Sequence, residues 1–256
     1  MIMGATRGDV SAGLIDTHCH VDLYPDPAAV AGLSERLGVR TIAVTNSPFV
    51  FDHTRALAER ARYLYPAVGL HPQLVASRSH EVGRLVALLD STRFVGEVGL
   101  DYTSIDPEDH RLQRKVFARI LGACAEHGDK VITVHSRRAA PDVIDAVGGS
   151  FPGKVILHWY SGTVKDLDRA LKNGAYISVN TAMISSKKSL ALVSRVPADR
   201  ILTETDGPFI TVGQKPAVPS DVNLVVERLA EMWRVDAEEA SHVIRSNFDE
   251  VIAGDG

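Results

Sequence analysis

The sequence predicts a (β/α)8 barrel forming one domain, and three observations carry that prediction. Short β-branched runs alternate with longer amphipathic stretches from residue 14 onward, and there are eight such runs, the number that closes a parallel sheet on itself. A length of 256 residues suits a single barrel. No GxGxxG or GxxxxGK[ST] follows the first run, so an open doubly wound sheet would lack its phosphate cradle.

The expected strands are, in order, "LIDTH" (14–18), "TIAVTNS" (41–47), "YPAVGLH" (65–71), "FVGEVGL" (94–100), "VITVH" (131–135), "KVILH" (154–158), "AYISVN" (175–180) and "ILTETD" (201–206). Each is bounded by turn or helix signals. Between them lie helical patterns such as "DPAAVAGLSERLG" and "DHRLQRKVFARILGACAEHG". In the second, Leu112, Val116, Ile120, Leu121 and Cys124 recur at three- and four-residue spacings, and Gly128 supplies a stop. The tail "DVNLVVERLAEMWRVDAEEASHVIRSNFDEVI" reads as two or three further helices. The barrel is expected over 14–256, with 1–13 a flexible extension.

Composition excludes several classes. Hydrophobic residues make up 45% and charged ones 23%, so a sizeable core can be buried without disulfides. The two cysteines stand in no CxxC spacing, which fits a reducing cytoplasm and no zinc knuckle. A net charge of −4 argues against a broadly basic nucleic-acid surface, though not against a local basic rim or a bound cation. No apolar run approaches the roughly 20 residues that span a bilayer, so the expected location is cytoplasmic.

The histidines are placed unevenly. His18 and His20 close the first expected strand, His71 the third, His135 the fifth and His158 the sixth; Glu97 lies on the fourth and Asp206 ends the eighth. These seven polar groups all fall at C-terminal strand ends, where barrel enzymes place their chemistry. One such histidine alone needs only a hydrogen bond. Five imidazoles and two carboxylates buried together call for a divalent cation, which offsets the charge and uses the lone pairs. The remaining histidines, His53, His80, His110, His127 and His242, fall in or beside helices and receive no role. Strand side chains alternate, so His18 and His20 share a face and Cys19 points away. A His and carboxylate donor set suits zinc, manganese, iron or magnesium.

Six segments, "DTHCH", "AVGLHP", "GEVGLDY", "VHSR", "HWYSG" and "TETDGP", taken in that order, resemble the TatD-related metal-dependent deoxyribonucleases of the amidohydrolase superfamily. "LYPDP", "GLHPQL", "HSRRAA", "HWYSG" and "ETDGPF" look most like the TatD-like nuclease of Qat-type anti-phage operons. The resemblance implies two divalent cations (Zn, Mn or Mg): His18, His20 and Asp206 hold one, His135 and His158 the other, and Glu97 bridges both. It places His71 beside the metals, against a substrate phosphate or a third ion. Two positions depart from the family pattern. Ile120 stands where Phe-x-x-Gln would put a glutamine three residues after Phe117, which removes the expected polar contact from that helix, and Trp159 replaces a smaller residue.

The activity implied is phosphodiester hydrolysis by a water activated between two cations, with Asp206 as proton acceptor and Glu97 as the shared catalytic carboxylate. The expected substrate is single-stranded DNA trimmed from its 3′ end, in anti-phage defence with partner proteins from the same operon. Glu204 is expected either to orient a ligand or to satisfy a buried basic group. Arg137, and with less reason Arg138, could clamp a phosphate; Trp159 and Tyr160 could stack a base; Lys187 and Lys188 could line the mouth. Rival functions are an amide, ester, lactone or phosphotriester hydrolase on the same barrel, and a non-catalytic nucleic-acid-binding subunit of a defence complex. Glu97 at the bridging position weighs against the relatives that use a carboxylated lysine there.

Overall fold

Eight parallel strands follow one another in chain order: β1 (Ile15–Cys19), β2 (Arg40–Val44), β3 (Leu64–Val68), β4 (Phe94–Gly99), β5 (Val131–His135), β6 (Lys154–His158), β7 (Tyr176–Val179) and β8 (Ile201–Thr203). The computed structural model describes residues 13–253, so the expected extension over 1–13 lies outside the described residues except for Gly13. Every expected run overlaps one of these strands, and the architecture is a TIM barrel in a single domain with extra C-terminal helices. The seam between β8 and β1 is stitched at its upper end by backbone bonds, Asp206 N–H to His18 O at 2.8 Å and His20 N–H to Gly207 O at 2.8 Å. Lower down, the Thr17 hydroxyl donates to Thr203 O and the Thr203 hydroxyl to Ile15 O.

The helices are α1 (Pro27–Leu37), α2 (Phe51–Ala58), α3 (Val75–Arg78), α4 (Val82–Leu88), α5 (Pro107–His127), α6 (Ala140–Val147), α7 (Val164–Lys172), α8 (Thr181–Ser185), α9 (Lys187–Val193), α10 (Asn223–Trp233) and α11 (Ala237–Ala253). Local sequence sets their ends. Asp26 caps α1 by accepting from Ala29 N–H, Pro27 opens it, and Gly38 ends it at φ 66°. Asp106 and Gly128 do the same for α5, whose Val116, Ile120, Leu121 and Cys124 are buried as their spacing requires. Among the described residues, no helix is long and apolar enough to cross a membrane.

Two ligand-bearing strands stop earlier than their expected runs: His71 and Asp206 lie three residues past β3 and β8, and His20 lies one residue past β1. The chain turns in each case: His71 opens a 3-10 turn, its Nδ1 accepting from Gln73 N–H, and Asp206 takes the left-handed φ of 50°. A short hairpin, β9 (Thr211–Val212) and β10 (Lys215–Pro216), follows β8 and carries no strand-length apolar signal.

Gly69 lets the barrel close tightly behind the site. A Cβ there would stand 2.2 Å from Thr45 O and 2.3 Å from Glu97 N, across the hydrogen bond those two atoms make at 3.0 Å. Neither obstacle is a flexible side chain, so Gly69→Ala should lower the urea midpoint by the equivalent of about 2–3 kcal/mol. Gly83 in α4 meets only the Arg119 guanidinium at 3.9 Å, and Gly83→Ala should raise stability by roughly 0.5–1 kcal/mol. Equal midpoints for the two variants would contradict this packing.

Candidate metal centre

Glu97 stands at the middle of the barrel mouth, buried, and its two carboxylate oxygens face different histidines. Oε2 lies 3.3 Å from His20 Nε2 and 3.6 Å from His18 Nε2. Oε1 lies 2.6 Å from His135 Nδ1, 3.0 Å from His158 Nε2 and 3.5 Å from His71 Nε2. Asp206 Oδ1 completes the first side, 3.6 Å from His20 Nε2 and 3.9 Å from His18 Nε2. Two compact donor groups therefore share Glu97: His18, His20 and Glu97, and His71, Glu97 and His135. All seven predicted donors come together, from six strands or the turns that end them.

Four of the five rings are held from behind, as metal-binding imidazoles usually are, and His20 is the exception. The His18 Nδ1 pairs with the Thr133 hydroxyl at 2.8 Å. The His158 Nδ1 faces Glu204 Oε1 at 3.4 Å, and Glu204 is itself fixed by the Ser178 hydroxyl, Asn180 Nδ2 at 2.8 Å and the Trp159 N–H at 3.1 Å. Glu204 thus orients a histidine rather than neutralising a buried base. It also joins His18 and His158 as a third compact group, but its oxygens are already taken. The Asp16 carboxylate accepts from His18 N–H, Thr205 N–H and the Thr205 hydroxyl, tying the two strand ends that carry His18, His20 and Asp206.

Asp101 was not among the expected site residues. Its Oδ2 accepts from His135 Nε2 at 2.8 Å and Gln73 Nε2 at 2.9 Å, and its Oδ1 from Thr103. The spacing held a signal, since Glu97, Gly99 and Asp101 share one face of an extended chain. The polar contact expected to be missing from α5 is present, two turns earlier than Ile120. Gln113 is buried and bonds both the N–H and the carbonyl of Asp101.

The electrostatics ask for positive charge at this point. Burial works to raise the Glu97 pKa, yet the surrounding His71, His158 and His135 hold it well below the usual carboxylate range. Burial works to lower His20 and His158, but Asp206 and Glu97 push His20 up to about 9, and Glu204 and Glu97 push His158 well up. Protons cannot fill the whole site. Burial and the facing His158, whose ring stacks on it at 3.8 Å, drive His18 down. His18 Nε2, both ring nitrogens of His20 and His158 Nδ1 are buried without an aligned hydrogen-bond partner. Such orphaned nitrogens beside the Glu97 and Asp206 carboxylates fit a divalent cation, which needs neutral imidazole lone pairs and anionic oxygen.

The outlying candidates sort differently. Cys19 is fully buried against Val21, Tyr24, Val30 and Ala43, away from the donors, and no cysteine belongs to a donor group among the described residues. His71, Arg137 and Trp159 line an open cleft of about 430 Å³ above Glu97. Tyr160 does not: it is buried in the main core and its hydroxyl donates to Thr163 O. The left-handed turn at Trp159, φ 39°, leaves the indole at the mouth and sends the next ring inward. Lys187 and Lys188 sit exposed on α9, outside the cleft lining. Arg138 is exposed in the left-handed region at φ 57° and does not line it either. Phe209 lines the cleft and had no apolar pattern to announce it.

A barrel with this buried histidine and carboxylate cluster at its C-terminal mouth defines a metal-dependent hydrolase. More specifically, residues 15–253 match the family model described as TatD related DNase, and the chain belongs to that family, whose members hydrolyse phosphodiester bonds. It is 28% identical over 240 residues to an uncharacterized metal-dependent hydrolase of Methanocaldococcus jannaschii, MJ1582, covering 91% of this chain and 94% of that protein. It is 28% identical over 221 residues to the 3′-5′ ssDNA/RNA exonuclease TatD of Pectobacterium parmentieri, covering 78% of this chain and 83% of that one. The crystal structure of YjjV, a TatD homolog from Escherichia coli, superposes with a TM-score of 0.85 at 25% identity, over 94% of this chain and 98% of that one.

Two tests follow from the geometry. Cys19→Ser should keep metal content unchanged by elemental analysis, and loss of metal would show that strand β1 presents its other face. Because the carboxylates hold His20 protonated up to about pH 9, a cation must displace that proton. Apparent metal affinity, measured against a competing chelator, should rise with pH and level off above about 9; a flat profile between pH 6 and 9 would contradict the proton competition.

Proposed function

We propose that this chain is a deoxyribonuclease that removes nucleotides from the 3′ end of single-stranded DNA, with two divalent cations held in the cluster. The observation that carries it is the division of Glu97: one oxygen faces His18 and His20, the other His135, His158 and His71. His18, His20 and Asp206 with one Glu97 oxygen would hold one cation, and His135 and His158 with the other oxygen would hold a second. Such cations supply Lewis acidity and lower the pKa of a water. Asp206 accepts the proton of the attacking water, since its carboxylate lies on the open side of the cluster and lines the cleft. Arg137 and His71, also on the cleft, take the phosphate oxygens, and Trp159 takes a base. Asp101 positions His135 and touches no substrate.

The 3′ polarity and the single strand are supported by the Pectobacterium relative's name alone. Two buried free cysteines suit a reducing cytoplasm. An anti-phage operon setting, with partner proteins, is supported by the Qat-like segments of the sequence.

End-labelled single-stranded DNA with free or blocked 3′ ends, incubated with Mn, Mg or Zn, should shorten stepwise only when the 3′ end is free, and chelator should stop it. Turnover of an amide or ester with no cleavage of any oligonucleotide would overturn the reading. Glu97→Gln should reduce the rate by roughly 100-fold or more, and Asp101→Asn by about 10–100-fold, as loss of an outer partner does.

A further inference from the structure

His20 is the one ring of the cluster with no partner behind it, although unused acceptors lie close by. Its Nε2 faces Glu97 and Asp206, so a cation held there takes the Nε2 lone pair. The neutral ring then carries its proton on Nδ1, which must donate it to an acceptor. Nδ1 is buried and no side chain is aligned with it. Apart from the nitrogens that face Glu97, Asp206 or Glu204, the other buried side-chain atoms without a partner among the described residues are Asp22 Oδ1, Asn46 Oδ1 and Thr54 Oγ1. All three belong to one side of the barrel. Asp22 stands in the 3-10 turn Val21–Leu23 that follows His20, Asn46 lies just past β2, and Thr54 is in α2; the turn packs against both β2 and α2.

A buried oxygen without a hydrogen bond costs about 1–3 kcal/mol, so each one calls for an explanation. For Asp22 the explanation is local. The Leu23 N–H donates to His20 O at 3.0 Å, which folds the turn back beside the histidine. Burial pushes the Asp22 carboxyl up, and the neighbouring His20 charge draws it down, so the two side chains act on each other. Of the three oxygens only that of Asp22 can be anionic, and an anionic oxygen is the strongest acceptor for the N–H of a metal-holding imidazole. We infer that Asp22 is the positioning residue of His20, taking the proton on Nδ1 when Nε2 holds a cation. Asp22 then does for His20 what Thr133, Asp101 and Glu204 do for His18, His135 and His158. It touches neither cation nor substrate. This rests on the reading of the cluster as a metal centre and deepens it.

Metal-free wild type, Asp22→Ala and Asp22→Asn are titrated with zinc against a competing chelator and melted with and without zinc. Asp22→Ala should weaken zinc binding by roughly 10–100-fold, the range for loss of an outer partner, and Asp22→Asn, which keeps an oxygen acceptor without the charge, by less. The melting temperature of metal-free Asp22→Ala should stay at the wild-type value, because the empty site loses no hydrogen bond from Asp22 Oδ1, while the rise that zinc produces should shrink. Unchanged zinc affinity in Asp22→Ala overturns the proposal, whether or not Asn46→Ala or Thr54→Val weakens binding instead. If Asp22→Ala lowers both affinity and metal-free stability, Asp22→Asn decides: weakened zinc binding at wild-type stability supports the positioning role, and wild-type zinc binding overturns it. Zinc bound by neither wild type nor variant overturns the metal centre itself.

Discussion

Everything at the barrel mouth is arranged around one buried carboxylate. Glu97 meets five imidazoles through two oxygens, in a place where neither the carboxylate nor a protonated ring could be left alone. The surrounding structure answers that constraint. Thr133, Glu204 and Asp101 fix the rings from behind, Gly69 clears room for the Glu97 backbone, and Asp16 ties β1 to the segment after β8. Of the four non-glycine residues with positive φ among the described residues, Trp159 and Asp206 stand at this mouth and Arg138 lies three residues past His135, while Arg234 merely ends α10. Strain concentrated beside a site is affordable only where packing over-determines the conformation.

Barrel closure and the metal centre are the same construction. The seam between β8 and β1 is bonded through Asp206, His18, His20 and Gly207, three of which carry candidate ligands. A cation held across that seam binds the folded barrel and not the unfolded chain, so it stabilises closure by mass action. Conversely, whatever loosens the seam spoils the ligand geometry. Asp16 illustrates the link: burial pushes its carboxyl up to about 8 despite the hydrogen bonds from Thr205 and His18, and those bonds span the seam.

Much of this was legible from residue order. The strands could be read because each is an apolar run set between helices, and His18, His20, Glu97, His135 and His158 because parallel strands deliver their C-terminal ends to one face. Parity settled Cys19, which packs toward α1. What could not be read depended on where the chain turns. His71 and Asp206 lie beyond their strands, and the left-handed turn at Trp159 separates a ring at the mouth from Tyr160 in the core, a distinction invisible in "HWYSG". Gln113 supplies the α5 contact from a position two turns away from the one a motif would nominate, because it is the helix face, not the motif, that meets Asp101.

The central claim is that Glu97 joins two cations into one reacting centre, and counting bound metal against activity tests it most directly. Metal-free protein titrated with manganese, with bound ion and rate followed together, should bind two ions per chain, and hydrolysis should follow occupancy of the second. Full activity with a single ion bound, or two ions retained unchanged in Glu97→Gln, would contradict it.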